Sequence, residues 1–104
     1  MTPTQLTLRR LRENGWPLVE CVEHWNPHAR IRNDLFGFID VIAVGPAGTL
    51  GVQATSTPNV PARVRKIADH PNLAAVREAG WTLEVWGWRK HNNRWELSRK
   101  IDIS

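Results

Sequence analysis

The chain has a single cysteine, Cys21, and no apolar run long enough to cross a bilayer. One thiol excludes an internal disulfide. With no second cysteine nearby it also excludes a thiolate zinc site, so Cys21 reads as a small buried hydrophobe. A spanning helix needs at least about 18 consecutive apolar residues, and the first residues lack the apolar core of a signal peptide. No membrane partner and a cytoplasmic location are therefore expected. Internal repeats, low-complexity tracts and linkers are also missing, and 104 residues suffice for one modest core but not for two, so residues 1–104 are expected to form one domain. A large excess of one charge is lacking too: 14 Lys and Arg against 10 Asp and Glu leave a net +4. That is a moderate bias toward polyanions.

What the chain does contain is apolar residues at 41% and six tryptophans, the composition of a folded globule. Its centre is Phe36 to Ser56, FGFIDVIAVGPAGTLGVQATS, which reads as two buried strands joined by the turn Gly45-Pro46-Ala47-Gly48. Residues 36–44 are apolar on both faces except for Asp40. A carboxylate inside such a strand has a large desolvation cost unless it is paired, coordinates a cation or opens onto a cleft. In the second strand Leu50, Val52 and Ala54 face one way and Gly51, Gln53 and Thr55 the other. Its polar pair, Gln53 and Thr55, thus stands beside the strand that carries Asp40.

Upstream, Thr2-Pro3-Thr4-Gln5 is a helix start with capping-box spacing, Leu8 and Leu11 supply an apolar stripe, and Asn14-Gly15 closes the helix. Residues 18–25, LVECVEHW, alternate as one strand with Glu20 on its mixed face, and 28–35 reads as a polar loop that puts Asp34 at the mouth of the Asp40 strand. After Ser56 a helix carries Val60, Val64 and Ile67 on one face and Arg63 and Lys66 elsewhere. His70-Pro71 interrupts it, and a second short helix ends at Gly80. Residues 81–90, WTLEVWGWRK, form a strand, His91-Asn92-Asn93 a turn, and 94–101 an edge strand. The expected order is α, β, β, β, α, β, β.

Phe38-Ile39-Asp40-Val41-Ile42-Ala43-Val44 and, with Gln53 thirteen residues beyond Asp40, Leu50-Gly51-Val52-Gln53-Ala54-Thr55-Ser56 resemble the two motif strands of the PD-(D/E)XK nuclease superfamily. The similarity is to its small members, the Holliday junction resolvases and virus-type replication-repair nucleases. The resemblance implies an α/β, restriction-endonuclease-like α-β-β-β-α-β core with a central mixed sheet flanked by helices. It implies metal-dependent phosphodiester hydrolysis of DNA by a metal-bound water, with Mg²⁺ or Mn²⁺ held by an Asp and a Glu and a Lys orienting the nucleophile. Asp40 matches the metal Asp, whereas Gln53 stands where the family has Glu and Thr55 where it has Lys. A glutamine carbonyl ligates Mg²⁺ without adding charge, and threonine does not replace an ammonium. Asp34 and Glu20 are the candidate auxiliary metal ligands.

The expected catalytic positions are accordingly Asp40, Gln53 and Thr55, in an Mg²⁺-dependent endonuclease. For phosphate contacts the basic groups supply Arg9, Arg30, Arg32, Arg63, Lys66, Arg89 and Lys90, with Arg63 and Lys66 foremost because they follow the site strand. His24 and His28 do not make a metal pair with Asp34, since a four-residue spacing has meaning on a helix and this segment is extended and broken by Pro27. Two other readings compete: a catalytically inactive nucleic-acid-binding module of the same fold, and a protein-interaction adaptor whose Trp-rich C-terminal strands form the interface. A homodimer is compatible with all three.

Overall fold

A computed structural model describes the backbone of residues 1–104 and every side chain except that of Arg32. Helix α1 spans Pro3–Glu13. The Thr2 hydroxyl accepts the Gln5 N–H at 3.2 Å while the Gln5 carbonyl accepts the Thr2 N–H at 2.9 Å, so two of the helix's orphan donors satisfy each other's residues. Leu6, Thr7 and Leu11 form its buried face.

The main sheet has five strands. β1 (Leu18–Cys21) is followed by a separate hairpin, β2 (His24–Asn26) with β3 (Ile31–Asn33). The chain then returns through β4 (Val41–Gly45) and β5 (Gly48–Ser56). A turn of 3₁₀ helix leads into α2 (Val60–Ala68) and α3 (Leu73–Glu78), and the sheet finishes with β6 (Thr82–His91) and β7 (Arg94–Asp102). Strand order is β1-β4-β5-β6-β7; β5 and β6 are parallel and all other neighbours antiparallel. The helical crossover between β5 and β6 is what a parallel pair requires.

Helices cover both faces. On one, α1 packs Leu6 and Leu11 over Val19, Val41, Ala43, Leu50, Val52, Trp86 and Trp88. On the other, Val60 and Ile67 of α2 and Leu73 and Val76 of α3 pack over Phe38, Ile39, Leu83 and Val85. The alternation along β5 holds: Leu50 and Val52 belong to the first core, and a side chain at Gly51 would meet Ile39 at 2.9 Å and Leu83 at 3.0 Å in the second. Among the described residues no helix is long and apolar enough to cross a membrane.

Three local expectations are corrected. The Asp40 strand does not run unbroken from Phe36: β4 starts at Val41, and Leu35 bridges Ile39 across a tight reversal in which Phe36 (φ 57°) and Gly37 (φ 94°) are left-handed. Gly37 accepts that conformation without cost, and the reversal resets the alternation, so Phe38 and Ile39 both enter the same core. Asp40 therefore sits at the bent start of β4, its N–H donating to Val52 O at 2.9 Å. The segment 18–25 is likewise two strands: the Val22 N–H still donates to Asp40 O at 2.8 Å in the β1–β4 register, but β1 ends at Cys21 and the chain leaves the sheet before β2 starts at His24. Cys21, on that edge strand, is exposed rather than buried.

Candidate metal and phosphate site

The bends that break the expected strands bring the acids together. Glu23 follows β1, Asp34 follows β3, and Asp40 stands at the start of β4. One carboxylate oxygen from each lies within 4.8 Å of the others. With Thr4, Gln53, Ala54, Arg63 and Lys66 they line a polar cavity of about 280 Å³. The Thr4 hydroxyl of α1 donates to Glu23 Oε2 at 3.4 Å, so the first turn of the helix closes one side and α2 the other.

Asp40 is held most tightly. It is only 4% exposed, and one of its oxygens, Oδ2, accepts the Ala54 N–H at 2.8 Å and the Gln53 side-chain N–H at 2.5 Å. Burial pushes its carboxyl up to about 8, helped by a hydrogen bond with Asp34 and that group's charge. The Ala54 N–H and the Gln53 amide pull the other way. Unit negative charges 4.8 Å apart repel by about 3 kcal/mol per pair at an effective dielectric of about 20. That repulsion favours a proton or a cation among these oxygens.

Gln53 adds a second signal. It is 3% exposed, and with its amide nitrogen given to Asp40 its carbonyl Oε1 is buried without a hydrogen-bond partner. A buried acceptor left unpaired costs about 1–3 kcal/mol. Three carboxylates and one amide carbonyl are a hard, all-oxygen donor set, which suits hard divalent cations such as Mg²⁺, Mn²⁺ or Ca²⁺ and not a thiophilic metal.

Of the residues singled out in the sequence, Asp40, Asp34, Gln53, Arg63 and Lys66 converge on this cavity. Glu20 does not: it pairs with Ile42 on β1 and is exposed, outside the acidic cluster. Thr55 is buried on β5 and does not line the cavity. Arg30 is exposed in the β2–β3 turn, and the Arg32 side chain lies outside the described residues. Arg9 lines a different groove, Arg89 is ion-paired to Glu96, and the Lys90 ammonium stands 5.7 Å from the centre of the Trp95 ring. His24 and His28 are exposed and take no part in the cluster.

Glu23 is the residue that sequence reasoning missed. Read as one strand, 18–25 puts Glu20 and Glu23 on opposite faces. That alternation persists, with Val19 in the α1 core and Val22 against the α2–α3 core; it is Glu23, just past the end of β1, and not Glu20 that meets Asp40. In comparisons with known proteins, no family model, curated protein or solved structure matches this chain.

Proposed function

We propose that the protein is a metal-dependent nuclease of restriction-endonuclease-like architecture that hydrolyses phosphodiester bonds in DNA, with Glu23, Asp34, Asp40 and Gln53 holding Mg²⁺ or Mn²⁺. The observation that carries the reading is the convergence of three carboxylates, a partnerless buried carbonyl and two α2 cations in one cavity. The topology of the main sheet supports it: with the β2–β3 hairpin set aside as an insertion, a helix, three antiparallel strands, a helical crossover and a parallel strand are what the resemblance of the two motif strands implies.

A bound divalent cation supplies Lewis acidity toward a phosphoryl oxygen and lowers the pKa of an attacking water. The chain's own residues do the positioning. The Ala54 N–H and Gln53 amide fix Asp40 Oδ2, leaving its other oxygen for the cluster. Thr4 steadies Glu23 through its hydroxyl. Arg63 and Lys66 line the same cavity and offset the charge of an incoming phosphate, without which three acids would repel it. With Thr55 buried elsewhere, Lys66 takes the orienting role that the motif's lysine has on the strand.

The test is incubation of the pure protein with linear, branched and single-stranded DNA in Mg²⁺ and in Mn²⁺. Cleavage that Asp40→Asn abolishes, with the variant's circular dichroism unchanged, is the expected result. Intact DNA under every condition overturns the catalytic reading. The replacement of the motif's Glu and Lys by Gln53 and Thr55 favours one alternative, a DNA-binding module of this fold without catalysis. That module binds DNA with steep salt dependence and no metal requirement.

A further inference from the structure

A second groove lies on the far side of α1 from the acidic cavity, and its chemistry is different. It has a volume of about 350 Å³, and its walls include Arg9, Arg10 and Glu13 of α1, Trp88 of β6, and Arg94 and Trp95 of β7. Three guanidinium groups face one carboxylate there. Arg10 is spent on packing, its guanidinium 5.4 Å from the centre of the Trp88 ring, and Trp88 is itself sealed, its indole N–H donating to Thr7 at 2.9 Å. Arg9 and Arg94 are exposed and make no ion pair among the described residues. Trp95 is 36% exposed and carries Lys90 at its ring. An accessible indole set among unpaired guanidinium groups is the combination that holds an unpaired base by stacking and its phosphates by charge.

The position adds direction. α1 walls both sites, Thr4 facing the acidic cavity and Leu6, Arg9 and Arg10 the groove, and a helix is on the order of 10 Å across. A strand a few nucleotides long that rounds the N-terminal end of α1 reaches from one to the other.

We infer that this groove is a binding site for single-stranded nucleic acid, Trp95 stacking on a base while Arg9 and Arg94 hold phosphates, so that an unpaired strand is delivered to the acidic cavity. The inference rests on the nuclease-fold reading only for that delivery; the groove's own chemistry carries the binding. Duplex DNA buries its bases against one another and offers Trp95 no face.

The experiment is fluorescence anisotropy of a labelled ten-nucleotide oligothymidylate in EDTA, where no cleavage occurs, against a duplex of equal length and polyglutamate as competitor. Expected are tighter binding of the single strand than of the duplex, a loss of roughly 5- to 150-fold for Trp95→Ala, and near-native binding by Trp95→Phe. Arg9→Ala with Arg94→Ala should flatten the log–log salt dependence by about 1.4. Thermal melts of each variant exclude unfolding, and the Trp95→Phe protein controls for packing. Equal affinity for duplex, competition by polyglutamate at matched charge, or undiminished binding by Trp95→Ala overturns the inference. Strand binding with the expected variant losses but no cleavage in Mg²⁺ or Mn²⁺ sustains it while removing the catalytic reading.

Discussion

Asp40 should make the protein's stability and its metal affinity move in opposite directions with pH. Its carboxyl is raised from an ordinary 3.8 to about 8. A group with a raised folded-state pKa binds its proton in the native state where the unfolded chain has already released it, so unfolding stability falls as pH climbs from about 4 to about 8. The full difference corresponds to about 5–6 kcal/mol, an appreciable part of the 5–15 kcal/mol typical of a domain. At pH 7 roughly nine-tenths of Asp40 is protonated, and a cation must displace that proton to bind. Apparent Mg²⁺ or Mn²⁺ affinity should therefore rise toward tenfold per pH unit between pH 6 and 8 and level off above. Thermal melts between pH 4 and 9 with and without metal read both effects. Without metal the melting temperature should decline toward pH 8, and metal should restore it most at the alkaline end. Asp40→Asn should flatten the metal-free profile, melt higher than the native protein at pH 8.5, and lose the metal response. A metal-free profile that is already flat in the native protein, or one that rises with pH, would refute the reasoning.

Further outcomes follow from the same geometry. Gln53→Glu should bind Mn²⁺ at least about tenfold more tightly by isothermal titration, because ligand charge sets affinity, and should melt lower in EDTA; unchanged affinity would mean that Gln53 is no ligand. Gly37→Ala should lose about 2–3 kcal/mol in urea titration, since the position is left-handed at φ 94° and a Cβ there overlaps the His70 imidazole. As the reversal carries Asp34 and Asp40, that variant's metal response should weaken as well. Trp88→Phe should cost about 1–3 kcal/mol by leaving Thr7, fully buried, without its 2.9 Å indole donor. A stability within about 0.5 kcal/mol of native would show that the bond is replaced.

Legibility of the fold in the sequence depended on whether a local rule had a competitor. The Thr2/Pro3/Gln5 capping box, the alternation of β5, the break at His70-Pro71 and the Asn92-Asn93 turn, with φ of 49° and 61°, are each fixed by neighbouring residues and could be read directly. The stretch 36–44 could not be phased, because a run apolar on both faces reads the same before and after a reversal. The left-handed pair Phe36 and Gly37 is satisfied by distant partners, Asn72 donating to Phe36 O at 3.0 Å and Trp81 meeting the Phe36 ring at 5.9 Å. Asp40 was legible because an isolated acid in apolar surroundings stands out. Glu23 was not, since Glu20 and Glu23 stand on opposite faces of one alternating run and no local feature says which face meets Asp40.

The glutamine at the motif's glutamate position has a physical consequence beyond a lost charge. Its amide nitrogen lies 2.5 Å from Asp40 Oδ2; a glutamate there would set two anionic oxygens face to face and add a fourth charge to a cluster already repelling by about 3 kcal/mol per pair. Such a site would need its cation in place to fold well. Gln53 instead donates to Asp40 and lets the metal-free protein stand with one proton among its acids; under the proposed reading it would hold a cation more weakly than a glutamate. Anchoring Asp40 alone does not account for the residue, because its carbonyl is then left buried and unpaired at about 1–3 kcal/mol. On the proposed reading, an oxygen-seeking cation shared with Glu23, Asp34 and Asp40 would offset that cost and give the polar end of Gln53 a role beside the three acids.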